Sequence, residues 1–548
     1  MNKNREGDTM VKSNRQMMQG ALVLSLAAFI AKILSAVYRV PFQNMVGNTG
    51  FYVYQQVYPI YGIGMTFALS GFPVFVSALI AQYRSDYELS PLLKRLFWIL
   101  SGLGIGVFLL LYTQSELIAS WMGDTLLSPV IQSVSWMFLM MPFLVIARGY
   151  FQGTNRMVPT AVSQVMEQVV RVSVILLAAS FYGSLTNDLY AVGTWAMSSA
   201  VVAAVMATIV LLYYKKSDSF ENWNGSRVIE PHKIQWGVLL KRLVIEGGTL
   251  CLLSSILVLF QLIDSFTLFK GLVEQGISPE VAKDLKGIFD RGQPLVQLGM
   301  VVGVGFSSSY LPLLSRSYTK RYLEEFEQLK QSLLKMTLVF SVVATVGLLV
   351  ILPRVNHMLF GDIQGNDVLS IYIISIVLAS MMMAYHGILQ STGKYSITLV
   401  ALFVGLLVKG LSNLWFIPLF QTLGASVATI LGLFVMLGMI WILSGESQSS
   451  SKDQKSTMIK LGIVTIGMAI VVGILNSFFE RYFPSGDSRT KDSLIALLLV
   501  SVGIIVFIIG AIRIKLFTIR EWLMIPKGKS LLRFTRKWKK RGEKDEIR

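Results

Sequence analysis

A succession of long apolar stretches constrains this chain more than any other feature. Roughly 20 apolar residues span a bilayer, and on that measure about 14 stretches qualify. They fall at 18–40, 51–81, 92–113, 130–150, 158–182, 189–214, 238–268, 289–314, 333–353, 368–391, 396–418, 422–444, 458–479 and 493–514. A backbone inside lipid must satisfy its own hydrogen bonds, so stretches of this length predict helices. The expected fold class is therefore an all-α integral membrane protein. Composition agrees: 15% of the 548 residues are charged, against about 25% in soluble domains.

The net charge of +18 would suggest nucleic acid in a soluble chain. In a membrane chain, Lys and Arg collect in cytoplasmic loops. Placing the N-terminus inside gathers Arg84, Lys94, Arg95, Arg148, Arg156, Lys215, Lys216, Lys241, Arg242, Arg316, Lys320 and Arg321 on the same side. Glu116, Asp124 and Asp188 then stand opposite, and both termini are expected in the cytoplasm. The run 21–37 reads as a retained first helix rather than a cleaved leader. The tail LLRFTRKWKKRGEKDEIR (531–548) follows the last span, which points to anionic lipid headgroups rather than nucleic acid as its partner.

Two pairs of stretches repeat. ARGYFQGTNRMVPTAVSQVMEQVVR (147–171) aligns with YHGILQSTGKYSITLVALFVGLLVK (385–409), matching Gly149, Gln152, Thr154 and Thr160 to Gly387, Gln390, Thr392 and Thr398. Arg156 and Arg171 fall on Lys394 and Lys409. YPIYGIGMTFALSG (58–71) aligns with QPLVQLGMVVGVG (293–305) through Pro59/Pro294, Gly64/Gly299 and Met65/Met300. Both members lie in the second of six spans, so the halves run in the same direction, a duplication common in transporters. The expected plan is an N-terminal lobe over 1–214, a basic cytoplasmic loop over 215–236 and a C-terminal lobe over 237–444. A linker at 445–457, two further helices over 458–514 and the basic tail 515–548 complete it.

Charge at mid-bilayer costs about 2.5–3.5 kcal/mol or more, so charges within spans are site candidates. Lys32 and Arg39 lie in the first span. Glu167 and Arg171 share a face of the fifth by i, i+4 spacing, as a mutually neutralising pair or as cavity wall. Asp264 lies in the seventh, Asp290 and Arg291 open the eighth as an expected outer-rim pair, and Lys409 lies in the eleventh. The cations outnumber the acids. Together they predict a positive cavity suited to an anionic ligand, and phosphate matches Arg and Lys well.

Catalytic and cofactor chemistry finds no support. There is no G-x-x-x-x-G-K-[ST], H-E-x-x-H or G-x-S-x-G motif. Cys251 is single, and His232, His357 and His386 lack ligand spacing. No cofactor and no metal is expected, and the chain reads as a transporter rather than an enzyme.

Five stretches carry a resemblance. AKILSAVYRVPFQNMVGNTG (31–50), SGFPVFVSALIAQY (70–83), RGYFQGTNRMVPTAVSQVMEQVVRV (148–172), LIDSFTLF (262–269) and DRGQPLVQLGMVVGVGFSSSYLPLLSRS (290–317) resemble the MurJ / stage V sporulation protein B group. That group belongs to the multidrug/oligosaccharidyl-lipid/polysaccharide exporter (MOP) superfamily. The resemblance implies two six-helix lobes in a V-shape, with the two extra helices forming a groove for a lipid tail. It implies a flippase of the bacterial plasma membrane for an undecaprenyl-diphosphate-linked glycan such as lipid II; cell-envelope synthesis enzymes are further candidate partners. It also implies that Lys32, Arg39 and Arg291 hold the diphosphate, leaving Glu167, Arg171, Asp264, Asp290 and Lys409 as cavity or ion-coupling candidates. Two other readings compete: a cation-coupled multidrug exporter of the same superfamily, and a non-transporting scaffold for cell-envelope assembly.

Overall fold

The computed structural model describes residues 23–24, 26–31, 33–83, 89–217, 235–444 and 451–524. Lys32 and the basic stretch 531–548 lie outside the described residues. Among those described, the chain is helical, with no strand beyond an isolated bridge between Tyr182 and Thr186.

Eleven helices are long and apolar enough to cross a membrane. A broken pair, Pro279–Val301 and Gly305–Thr319, bent by 43°, makes twelve. The difference from the expected number comes from two double-length elements, Leu26–Gln82 with 57 residues and Tyr395–Leu443 with 49. At 1.5 Å per residue these measure about 85 and about 73 Å, each more than two thicknesses of a hydrocarbon core of about 30 Å. Each contains two of the expected spans. The first is broken at Gly47 (φ 71°, ψ −175°) and the second at Gln421 (φ 53°, ψ −131°). Glycine has no Cβ to oppose that conformation. Gln421 does, and Pro418, three residues earlier, has already removed a helical donor.

The repeated stretches fold alike. After the Met137–Gly153 helix, the amide of Arg156 bonds to the carbonyl of Phe151 (2.7 Å) and that of Asn155 to Gln152 (3.0 Å). At the aligned positions, Lys394 bonds to Leu389 (3.0 Å) and Gly393 to Gln390 (3.2 Å). Asn155 and Gly393 carry the positive φ that closes each bend, 61° and 73°, and these two residue types tolerate it best. The repeat is thus the same helix-terminating motif used twice.

The chain forms two compact units that do not follow chain order: residues 1–294 with 398–436, and residues 295–397 with 437–548. In the first unit, the Met157–Ser180 and Leu189–Ser217 helices pair along their length. Their buried residues include Ala161, Ala178, Ala196, Ala200, Ala203 and Ala207, and small side chains let membrane helices approach closely. Gly149 and Gly153, one turn apart, seat the Met137–Gly153 helix on Val76 and Ile80, where an added Cβ would come within 2.5 and 2.8 Å.

In the second unit, Arg354 on the short Leu352–Phe360 helix ties down the last two long helices. It bonds to Asp492 (2.5 Å), Glu480 (2.8 Å) and Asn476 (2.8 Å), while His357 Nδ1 lies 2.6 Å from the same Asp492.

Candidate functional site: buried cations of the first unit

Three tyrosines at i, i+4 and i+7, Tyr54, Tyr58 and Tyr61, put one aromatic face on the Arg39–Thr66 helix. With Tyr38 they surround two arginines. The Arg39 guanidinium lies over the Tyr58 ring, 4.3 Å from its centre. Arg171, on the Met157–Ser180 helix, lies 3.8 Å over Tyr61 and 5.7 Å from Tyr58. Its Nη2 donates to the hydroxyls of Tyr38 (3.0 Å) and Tyr54 (2.9 Å), and Nη1 donates to Gln168 (3.4 Å). Both arginines are fully buried. None of the three guanidinium nitrogens of Arg39 has a hydrogen-bond partner among the described residues.

Arg291 sits in a second network at the junction of the Pro279–Asp290 and Gly292–Thr319 helices. Its Nη2 donates to Asn48 Oδ1 (2.5 Å), which also accepts from Gln43 (2.8 Å). Asn48 Nδ2 donates to Asp284 (2.9 Å). Asn48 follows the break at Gly47. Its carbonyl packs where a Cβ on Gly287 would stand, so the two helices meet backbone to backbone there.

Two of the expected pairings are replaced. Glu167 is held not by Arg171, four residues on, but by Arg148 from the preceding helix, at 2.6 Å. Arg148 also donates to Ser163 (3.2 Å) and the Ala68 carbonyl (3.2 Å). It is fully buried and is not the exposed loop residue that the charge pattern suggested. A guanidinium with three acceptors at fixed angles outcompetes a same-helix neighbour whose donors already serve tyrosine hydroxyls. Asp290 is likewise no rim partner of Arg291: its carboxylate takes Lys286 Nζ at 2.6 and 2.7 Å, and both side chains are buried.

Asp264 and Lys409 form a third buried pair at 2.6 Å. Lys409 also donates to the Ala425 carbonyl (2.9 Å) and Thr429 (2.7 Å), and Asn413 donates to Asp264 (2.9 Å). Asp124, the fourth buried acid, accepts from Tyr52 (3.1 Å) and Tyr190 (2.6 Å), with Lys283 at 3.8 Å.

The buried charges of this unit therefore do not balance. Among the described residues, Arg39, Arg148, Arg171, Lys286, Arg291 and Lys409 are buried against Asp124, Glu167, Asp264 and Asp290. Of the eight candidate residues, seven are described, and all seven lie in this unit. Arg39 and Arg171 share one aromatic wall, Arg291 and Asp290 occupy adjacent polar networks, and Glu167 and the Asp264–Lys409 pair stand apart as neutralised contacts. Sequence reasoning missed Arg148, Lys286, Asn48 and the tyrosines. The spacing of the tyrosines was the one legible signal.

Residues 17–318 match the family described as polysaccharide biosynthesis protein. The chain belongs to that family. A second match, to MatE, covers residues 290–415. The chain is 36% identical over 531 residues to the uncharacterized membrane protein YabM of Bacillus subtilis (strain 168), covering 96% of this chain and 97% of that protein. It is 27% identical over 521 residues to lipid II flippase MurJ of the same organism, covering 89% and 93%. A solved structure of lipid II flippase MurJ in an inward closed conformation matches its fold, with TM-score 0.66 and 14% identity over 89% of this chain and 98% of that one.

The polysaccharide biosynthesis family assignment and these relatives make the chain a multi-pass membrane transporter rather than an enzyme.

Proposed function

We propose that this chain flips an undecaprenyl-diphosphate-linked glycan precursor, of the lipid II type, across the plasma membrane by alternating access. One observation carries the reading. Among its described residues the first unit buries two more cations than carboxylates, and a diphosphate bonded to lipid at one end and sugar at the other carries two negative charges. Arg39, with every guanidinium nitrogen unpaired, and Arg291 bind the diphosphate, with Lys32 as a further cation. The side chains are buried, so the ligand reaches them when the surrounding helices separate.

In this reading both termini are cytoplasmic, the repeated halves over 1–214 and 237–444 act as the two lobes, and the helices over 458–514 receive the lipid tail. The basic tail meets anionic lipid, and cell-envelope synthesis enzymes are partners. A cation-coupled drug exporter needs carboxylates free to bind its ion. Glu167, Asp264 and Asp290 are instead each paired with Arg or Lys.

The test replaces Arg39 or Arg291 with Ala and measures outer-leaflet precursor in cells whose other lipid II flippases are depleted. Loss of export and of growth by stably inserted variants is expected. Unchanged export would reject the site.

A further inference from the structure

We propose that Arg171 belongs to the anion site itself, so that Arg39 and Arg171 form one tyrosine-walled receptor for a diphosphate group. This deepens the flippase reading and rests on it. By position, Arg171 looks like half of a structural ion pair with Glu167. The structure gives Glu167 to Arg148. Three other buried cations of the unit, Arg148, Lys286 and Lys409, each hold a carboxylate within 2.6 Å. Arg171 holds none among the described residues, and neither does Arg39. A buried cation left without a carboxylate in lipid is costly, and faces of Tyr58 and Tyr61 offset only part of that cost.

The two guanidinium groups approach the same ring, Tyr58, at 4.3 and 5.7 Å. The two guanidinium carbons therefore lie no more than about 10 Å apart, a span that the two phosphoryl groups of one diphosphate can bridge when the helices open. Arg171 also prepares the wall. Its Nη2 fixes the hydroxyls of Tyr38 and Tyr54, which lie 2.9 Å from each other. One of those two hydroxyl protons is used between the tyrosines. The other is left to donate to a phosphate oxygen. A receptor of two guanidinium groups and a tyrosine hydroxyl suits a diphosphate better than a monoanion, because charge-assisted, multi-pronged contacts favour several anionic oxygens. Lipid-linked diphosphate and free inorganic diphosphate share this chemistry.

The experiment uses the full chain in nanodiscs of zwitterionic lipid. The probes are undecaprenyl-diphosphate-linked N-acetylglucosamine, neutral undecaprenol and soluble inorganic diphosphate as competitor. R171M and R39M are each expected to weaken binding of the diphosphate lipid by about 30-fold or more, the loss typical of removing one buried charge contact. Undecaprenol binding should not change. Competition by inorganic diphosphate would identify a receptor that reads the headgroup from either source, and lack of competition one that needs the lipid.

Wild-type affinity in a folded R171M, with R39M weakened, would overturn the role of Arg171 and leave the flippase site standing. Wild-type affinity in R39M, R171M and R291M alike would reject that site as well. Should R171M not fold, R171K carries the test. It keeps the charge but not the fork that holds Tyr38 and Tyr54 together, and a loss of about 3–10-fold is expected. Unaltered affinity in R171K and in the double variant Tyr38→Phe, Tyr54→Phe would then overturn the proposal.

Discussion

Arg148 reaches across the basic bend to Glu167, Nη2 to Oε2 at 2.6 Å, and both side chains are buried. The pair clamps two successive helices of the first unit. Removing one partner leaves the other charged and unpaired, which costs about 3–5 kcal/mol. E167A should therefore unfold at markedly lower temperature in detergent. The double variant R148M/E167M should recover most of that loss, because no charge is left stranded. Additive losses in the double variant would show that the two residues act independently.

The aligned glycines Gly149 and Gly387 should respond differently to substitution. At Gly149 an added Cβ would lie 2.5 Å from Val76 and 3.2 Å from the Pro73 carbonyl. G149A is expected to cost about 1–3 kcal/mol by overpacking. At Gly387 nothing lies within 4 Å. G387A should be neutral, or stabilising by up to about 1 kcal/mol through helix propensity. Thermal unfolding of the two variants side by side decides it.

Lys409 and Asp264 offer a clean double-mutant cycle. K409M strands the Asp264 carboxylate, and D264N leaves the ammonium with the Ala425 carbonyl and Thr429 only. Each single change is expected to cost about 2–4 kcal/mol, with a coupling energy of at least ~1 kcal/mol between them. A coupling near zero by chemical or thermal unfolding would mean that the pair contributes nothing beyond its separate contacts.

Asp492 is the hub that joins Arg354, His357 and the Gly486 amide at the turn between the last two long helices. D492A should loosen that turn while leaving the first unit intact. Hydrogen exchange should rise selectively over 482–492, and the protein should lose about 3–5 kcal/mol of stability in the second unit. Uniform protection in the variant would count against a hub.

Much of the architecture is legible in the sequence. Apolar length alone called for membrane helices, and the stretch 147–171 with its echo at 385–409 announced a repeated bend. Asn155 and Gly393 now account for that echo, since each supplies the left-handed residue that ends a helix. The two double-length helices were harder to read as continuous elements. Their breaks at Gly47 and Gln421 are single-residue events inside otherwise helical chain.

The charged residues divide the same way. That cations exceed acids among the charges within spans follows from position in the chain, whereas the burial of Arg148, Lys286 and Asp124 was set by helix packing. Which cation meets which acid does not follow. The i, i+4 rule placed Arg171 beside Glu167, whereas helix packing delivered Arg148 to that acid and left Arg171 among tyrosines. Ion pairing depends on distances of a few ångströms between side chains on different helices. Only the packing of those helices sets such distances, and so only the tertiary structure could separate the arginines that brace the protein through a carboxylate from those that meet none among the described residues.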